Sequence, residues 1–130
     1  MFANKFAALF TALVAAASVV SAAPAEDFEP HITAPTAGAV WHIGSTQNVT
    51  WDTSNIPPSN VNQTGLILLG YLVDGSEDEH LDGQHPLAVN FPITAGYASV
   101  VVPDVAPRDD YIVVLFGNSG NASPQFTITA

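Results

Sequence analysis

Residues 35–51 read PTAGAVWHIGSTQNVTW. Val49 and Trp51 alternate with Asn48 and Thr50, the period-two signature of a strand with one buried face. Asn48-Val49-Thr50 is also an N-glycosylation sequon, whose glycan has to reach solvent. Both requirements are met when Val49 and Trp51 point inward. Upstream, Trp41 and Ile43 share one face and Val40 and His42 the other, with Gly38 and Gly44 as turn residues. The stretch therefore predicts an edge strand, a turn and the first core strand of a β-sandwich, anchored by Trp41 and Trp51.

The rest of the chain extends the pattern. His31 to Thr33 opens a strand that Pro35 ends, since proline cannot donate to a ladder. Leu66 to Val73, LILLGYLV, is apolar on both faces, as a central strand or one with a covered outer face would be. A weaker strand is predicted near Leu87 to Phe91. Tyr97 to Val102 alternates, with Ala98, Val100 and Val102 on one side and Tyr97, Ser99 and Val101 on the other. Asp110 to Gly117, DYIVVLFG, is the strongest strand signal, and Tyr111 stands where sandwiches place the tyrosine that braces the turn into their penultimate strand. Phe126 and Ile128 face inward in the last strand. About seven short strands separated by Gly, Pro and Asn predict an all-β, immunoglobulin- or fibronectin-like antiparallel sandwich.

The chain has 130 residues. Residues 1–22, with Lys5, the apolar run Phe6 to Val20 and small residues at Ser21-Ala22-Ala23, read as a secretory signal peptide. Residues 23–30, APAEDFEP, read as a flexible acidic leader, and residues 31–130 as the sandwich domain. Beyond residue 22 Arg108 is the one Lys or Arg against 12 acidic side chains, a formal charge of −11. Nucleic acid and anionic membrane surfaces need clustered cations and are excluded as partners. The chain has no cysteine, which removes disulfide and thiolate chemistry.

The spaced pattern Pro35, Gly38, Trp41, Gly44, Val49, Trp51, the run Leu66 to Leu69, Tyr111-Ile112-Val113-Val114 and the closing Ser123, Phe126 and Ile128 resembles the fungal Kre/Knh-type cell-wall domain, also described as a family of Ser/Thr-rich GPI-anchored membrane proteins. The resemblance spans roughly residues 31–130. It implies an extracellular module linked to fungal cell-wall assembly, in particular β-1,6-glucan, with no catalytic residues to carry over. The chain ends at FTITA without the stalk and hydrophobic tail of longer members, which leads us to expect a free secreted protein. It also lacks the cysteine-bearing C-terminal region of the yeast glucan-synthesis proteins.

The residues themselves carry little chemistry. Asp74 to His85, DGSEDEHLDGQH, concentrates acids, but the calcium-loop template fails. Started at Asp78 it puts Val89 where the bidentate Glu belongs, and started at Asp74 it puts Glu79 where Gly is needed. His80 and His85 lack a third ligand at fixed spacing. A solvated loop is expected, with no metal and no cofactor. Carboxylates facing across a cleft, or a nucleophile elbow, are not indicated by the spacing, so no catalytic residue is assigned.

Three sequons mark Asn48, Asn62 and Asn121 as glycosylation sites, with Pro124 after Ser123 lowering occupancy at Asn121. If Tyr111, Val113 and Leu115 face the core, then Ile112, Val114 and Phe116 face outward as an apolar partner-binding face. The expected function is a secreted, non-enzymatic cell-wall module for β-glucan assembly or organisation. Its expected partners are wall polysaccharide or wall glycoproteins, with self-association through that face. The alternatives are a small carbohydrate-binding or effector-like protein stacking sugars on Tyr71 or Tyr97, and a regulator that binds calcium through the acidic loop.

Overall fold

The structure is a computed structural model and describes residues 29–117 and 119–130. Residues 1–28, which hold the expected signal peptide and most of the expected leader, lie outside the described residues. At the leader's end Pro30 is fully buried, so the packed domain starts one residue earlier than the sequence suggests.

The chain is all-β. Its strands are β1 (Ile32–Ala34), β2 (Val40–His42), β3 (Thr46–Trp51), β4 (Thr64–Tyr71), β5 (Ala88–Pro92), β6 (Tyr97–Val101), β7 (Arg108–Phe116), β8 (Gly120–Ala122) and β9 (Phe126–Thr129). They form two sheets, β1-β3-β6 and β2-β9-β7-β4-β5, with β8 paired beside β7. The described residues thus hold nine strands instead of about seven. β8 goes unpredicted because three residues beginning with Gly120 carry no alternation.

The opening stretch crosses between the sheets. β2 lies parallel to β9 at the rim of the larger sheet, whereas β3 is the centre of the smaller one. The crossing takes two residues. The amide of Ile43 donates to Thr129 O at 2.8 Å, while that of Gly44 donates to Val102 O at 2.9 Å in the chain that leaves β6. Gly44 has φ +83°, a conformation that costs glycine little because it has no Cβ.

Trp41 and Trp51 enter the core from the two sheets. Trp41 packs on Phe126 with ring centroids 4.6 Å apart, and Trp51 on Phe91 at 5.3 Å. Buried with them are Val49, Ala98 and Val100 from the small sheet, Val102 just beyond it, and Ile67, Leu69, Tyr111, Val113, Leu115, Phe126 and Ile128 from the large one. Tyr111 Oη donates to Ala106 O at 2.6 Å, bracing the turn before β7 as expected.

β7 changes neighbour along its length. Its first half pairs with β9 and its second half with β8. Pro124 lies at the changeover and has no N–H to give. Ser123 fills the gap: its amide donates to Val113 O at 2.8 Å, and its hydroxyl accepts from Val113 N at 3.0 Å while donating to Pro124 O at 2.9 Å. The serine is buried because this hole in the ladder lies inside the fold.

Candidate functional site

The face of β7 expected to bind a partner, Ile112, Val114 and Phe116, is not exposed. Ile112 is 0 % and Val114 3 % exposed, and Phe116 is half-buried. In the sheet, Gly70 lies opposite Ile112 and Leu68 opposite Val114, so these residues form a second apolar layer. The acidic loop closes over it: a Cβ placed on Gly70 would collide with the Glu79 carbonyl and with Leu81. At the other end Gly120 lies against Phe116 and Val114. The surplus of apolar residues was legible in the sequence, but its cover comes from a loop that composition describes as fully solvated.

The loop is held down by backbone chemistry. β5 pairs with β4 only from Thr64 to Ile67. Beyond that point β4 needs other partners, because unpaired buried amides are costly. The loop supplies them: Tyr71 N donates to Glu79 O at 2.9 Å, and Asp82 N donates to Leu69 O at 2.9 Å. Its carboxylates serve local backbone. Asp78 Oδ1 accepts from His80 N at 3.0 Å, which helps hold His80 at φ +43°. Asp82 Oδ1 accepts from Gln84 N at 3.1 Å and His85 N at 3.2 Å, and Asp82 Oδ2 lies 3.1 Å from His85 Nδ1. Partial burial would raise the Asp82 pKa, but the His85 ring and these amides outweigh it and hold the carboxyl below its usual range. A general acid needs the opposite shift. Among the described residues no cluster of three or more His, Cys, Asp or Glu is arranged to hold a metal ion.

Where the loop meets the segment after β6, a groove of about 320 Å³ opens. Leu69, Leu87, Pro103 and Val105 give its lining apolar surface, and Asp82, Asp104 and His85 give it polar groups. A second cavity of about 160 Å³ shares Leu69, Asp82 and Val105 and extends to Tyr71, His80 and Tyr111. The groove was not legible in the sequence, because Leu69, Asp82 and Asp104 come together only through the sheet order. A shallower depression of about 640 Å³ beside Pro35 and Ser123 has His31 as the titratable residue on its lining.

The wall of the second cavity is a stacked assembly. His80 lies flat on Tyr71, with centroids 4.5 Å apart and planes 6° from parallel. The Arg108 guanidinium sits 4.0 Å from the centre of the same ring. Two planar groups this close to one ring centre do not fit side by side, so the phenol is sandwiched. Arg108 also clamps Asp110 through two of its nitrogens, Nε to Oδ1 at 2.7 Å and Nη2 to Oδ2 at 2.8 Å. This bidentate pairing holds the Asp110 carboxyl below its usual range and pushes the guanidinium up. Burial raises the Tyr111 hydroxyl. Arg108 is the one Lys or Arg among the described residues, and it is committed internally.

The two tyrosines proposed for sugar stacking therefore separate. Tyr71 has both ring faces covered, whereas Tyr97 is 55 % exposed on the outer face of β6. The sequon asparagines differ too. Asn48 and Asn62 are exposed, while Asn121 is half-buried on β8 and its sequon serine is the locked Ser123.

The chain matches no protein-family model, no curated protein and no solved structure.

Proposed function

We propose that this chain is a secreted, non-enzymatic module of the fungal cell wall that works in β-glucan assembly or organisation, and that its glycan contact is the groove at Asp82, His85 and Asp104. The observation that carries the site is the pairing of apolar lining residues with carboxylate and imidazole groups, in a protein whose one described Lys or Arg is tied to Asp110. Such a groove suits a neutral ligand that presents hydroxyl donors above C–H faces, and it repels anions. The exposed Asn48 and Asn62 sequons support passage through the secretory pathway. The resemblance of residues 31–130 to the Kre/Knh-type domain supplies the wall context.

A second reading has one observation in its favour. Tyr97 stands exposed beside Asn48 and Ser99 on the outer face of the small sheet, where a carbohydrate-binding or effector-like protein would stack a sugar ring. Retention of the purified chain on insoluble β-1,6-glucan, β-1,3-glucan and chitin separates the two. Retention on a β-glucan that Asp82→Asn with Asp104→Asn abolishes, and Tyr97→Ala leaves intact, supports the groove. The reverse pattern supports the sheet face, and no retention on any polymer refutes both.

A further inference from the structure

The small sheet ends in a strand built unlike the other sheet margins. β1 is three residues long and is closed by Pro35, and β2 and β8 are also three residues long. β5 contains Pro92, has Asn90 at φ +58° and shifts register against β4. Short length, proline and irregular register are the devices that stop a sheet edge from recruiting another strand. β6, with sequence YASVV, has none of them. It pairs with β3 over five consecutive residues without a register shift, and it carries no charge, proline or glycine.

The direction of its backbone groups follows from its pairing. Trp51 N donates to Gly96 O at 2.9 Å and Val102 N to Ser45 O at 2.9 Å. Gly96 and Val102 therefore turn toward β3, and by alternation so do Ala98 and Val100. Tyr97, Ser99 and Val101 then aim N–H and C=O away from β3, and no partner strand lies on that side among the described residues. Tyr97 and Val101 are 55 % and 63 % exposed, so the strand lies at the protein surface.

We propose that β6 is the pairing edge of a two-fold dimer, in which β6 of one copy lies antiparallel to β6 of the second and the two small sheets merge into one six-stranded sheet. The occupant follows from register and charge. With the axis at Ser99, the outward-aimed residues meet as Ser99 with Ser99 and Tyr97 with Val101, each pair exchanging both N–H···O bonds. Every bulky side chain then faces a complementary one, since an aromatic residue opposite a β-branched one is a favourable cross-strand pair. The chain carries 12 acidic residues, yet β1, β3 and β6 hold no charged side chain. Two strongly anionic copies can join here without aligning carboxylates. Asn48 lies opposite Ser99, whose hydroxyl donates to its side-chain oxygen at 2.9 Å. Its glycan rises from the sheet face, out of the plane in which the strands pair.

The test is sedimentation equilibrium of the purified secreted chain from ~1 μM to ~1 mM, the range of weak interfaces of modest area. A concentration-dependent dimer is expected, which Ser99→Lys weakens at least tenfold by placing two cations on the axis. Ser99→Glu is expected to do the same, and mixing the two variants to restore association as a heterodimer. Thr46→Lys, on the same face but on β3, leaves the dimer intact. Urea midpoints close to wild type confirm that each variant is folded. A chain that stays monomeric to ~1 mM, a Ser99→Lys variant that dimerises like wild type, or charge-swapped variants that do not recombine would each overturn the proposal.

Discussion

Replacing Trp51 by alanine tests the packing at the centre of the small sheet. The indole is 4 % exposed and packs on Phe91, and its Nε1–H donates to Ile93 O at 2.8 Å. Truncating a buried tryptophan costs about 3–5 kcal/mol in lost transfer energy and cavity formation. Ile93 is itself fully buried, so its carbonyl loses its partner, a further penalty of about 1–3 kcal/mol. The total of about 4–8 kcal/mol is a large share of the roughly 5–15 kcal/mol that holds a domain together. With a urea m-value of about 1–3 kcal/mol/M, the midpoint should fall by about 1 M or more. Trp41 remains as the fluorescent reporter. Trp51→Phe, which keeps an aromatic ring but loses the N–H, is expected to cost about 1–3 kcal/mol. An alanine variant with an unchanged midpoint would refute the reasoning. So would a phenylalanine variant as damaged as alanine, because packing would then contribute nothing beyond the hydrogen bond.

Gly70→Ala forces a methyl group into the Glu79 carbonyl and Leu81; it should destabilise by roughly 1–3 kcal/mol and open the acidic loop to protease, read as faster cleavage between residues 74 and 85. Ser123→Ala strips the donor-acceptor bridge at Val113 and should cost about 1–3 kcal/mol, whereas Asn121→Gln, which removes the same sequon, should leave the denaturation midpoint unchanged. Asp110 has a depressed folded-state pKa, so its contribution to stability is present above the ordinary carboxylate value of about 3.9 and is lost as pH falls through the lower folded value. Arg108→Gln should return Asp110 toward the ordinary range and flatten the loss of stability on acidification, as followed by pH-dependent urea midpoints and NMR titration of Asp110. Intact mass before and after deglycosylation should show fuller occupancy at Asn48 and Asn62 than at Asn121.

Much of this architecture can be read from residue spacing. The inward set Val49, Trp51, Ala98, Val100, Val102, Phe126 and Ile128 follows from period two, because a strand with one wet face must alternate. Tyr111 was legible as a brace through its place before a long apolar run. Strand ends were less so: β4 starts at Thr64, ahead of the apolar run, because its ladder with β5 begins there. Ser123 shows the limit most clearly. Nothing local distinguishes its hydroxyl from that of any sequon serine, yet it completes a ladder whose other side lies ten residues away. Asn60 is similar, a buried amide in a connection rich in turn formers, its Nδ2 donating to Gln63 Oε1 at 2.9 Å.

Period-two patterning, turn residues and composition by themselves determined the all-β class, the inner face of most strands, the anionic character and the absence of thiol chemistry. These are properties of a strand and its immediate neighbours, and they do not depend on sheet order. The tertiary structure alone decided that Ile112 and Val114 are covered, that Tyr71 is sandwiched while Tyr97 is open, and that Asp82 and Asp104 share a groove. It also decided that β6 is the unguarded edge. Each of these depends on which strands become neighbours and where a loop comes to rest, and those outcomes are set by contacts between residues far apart in the chain, which no local window contains.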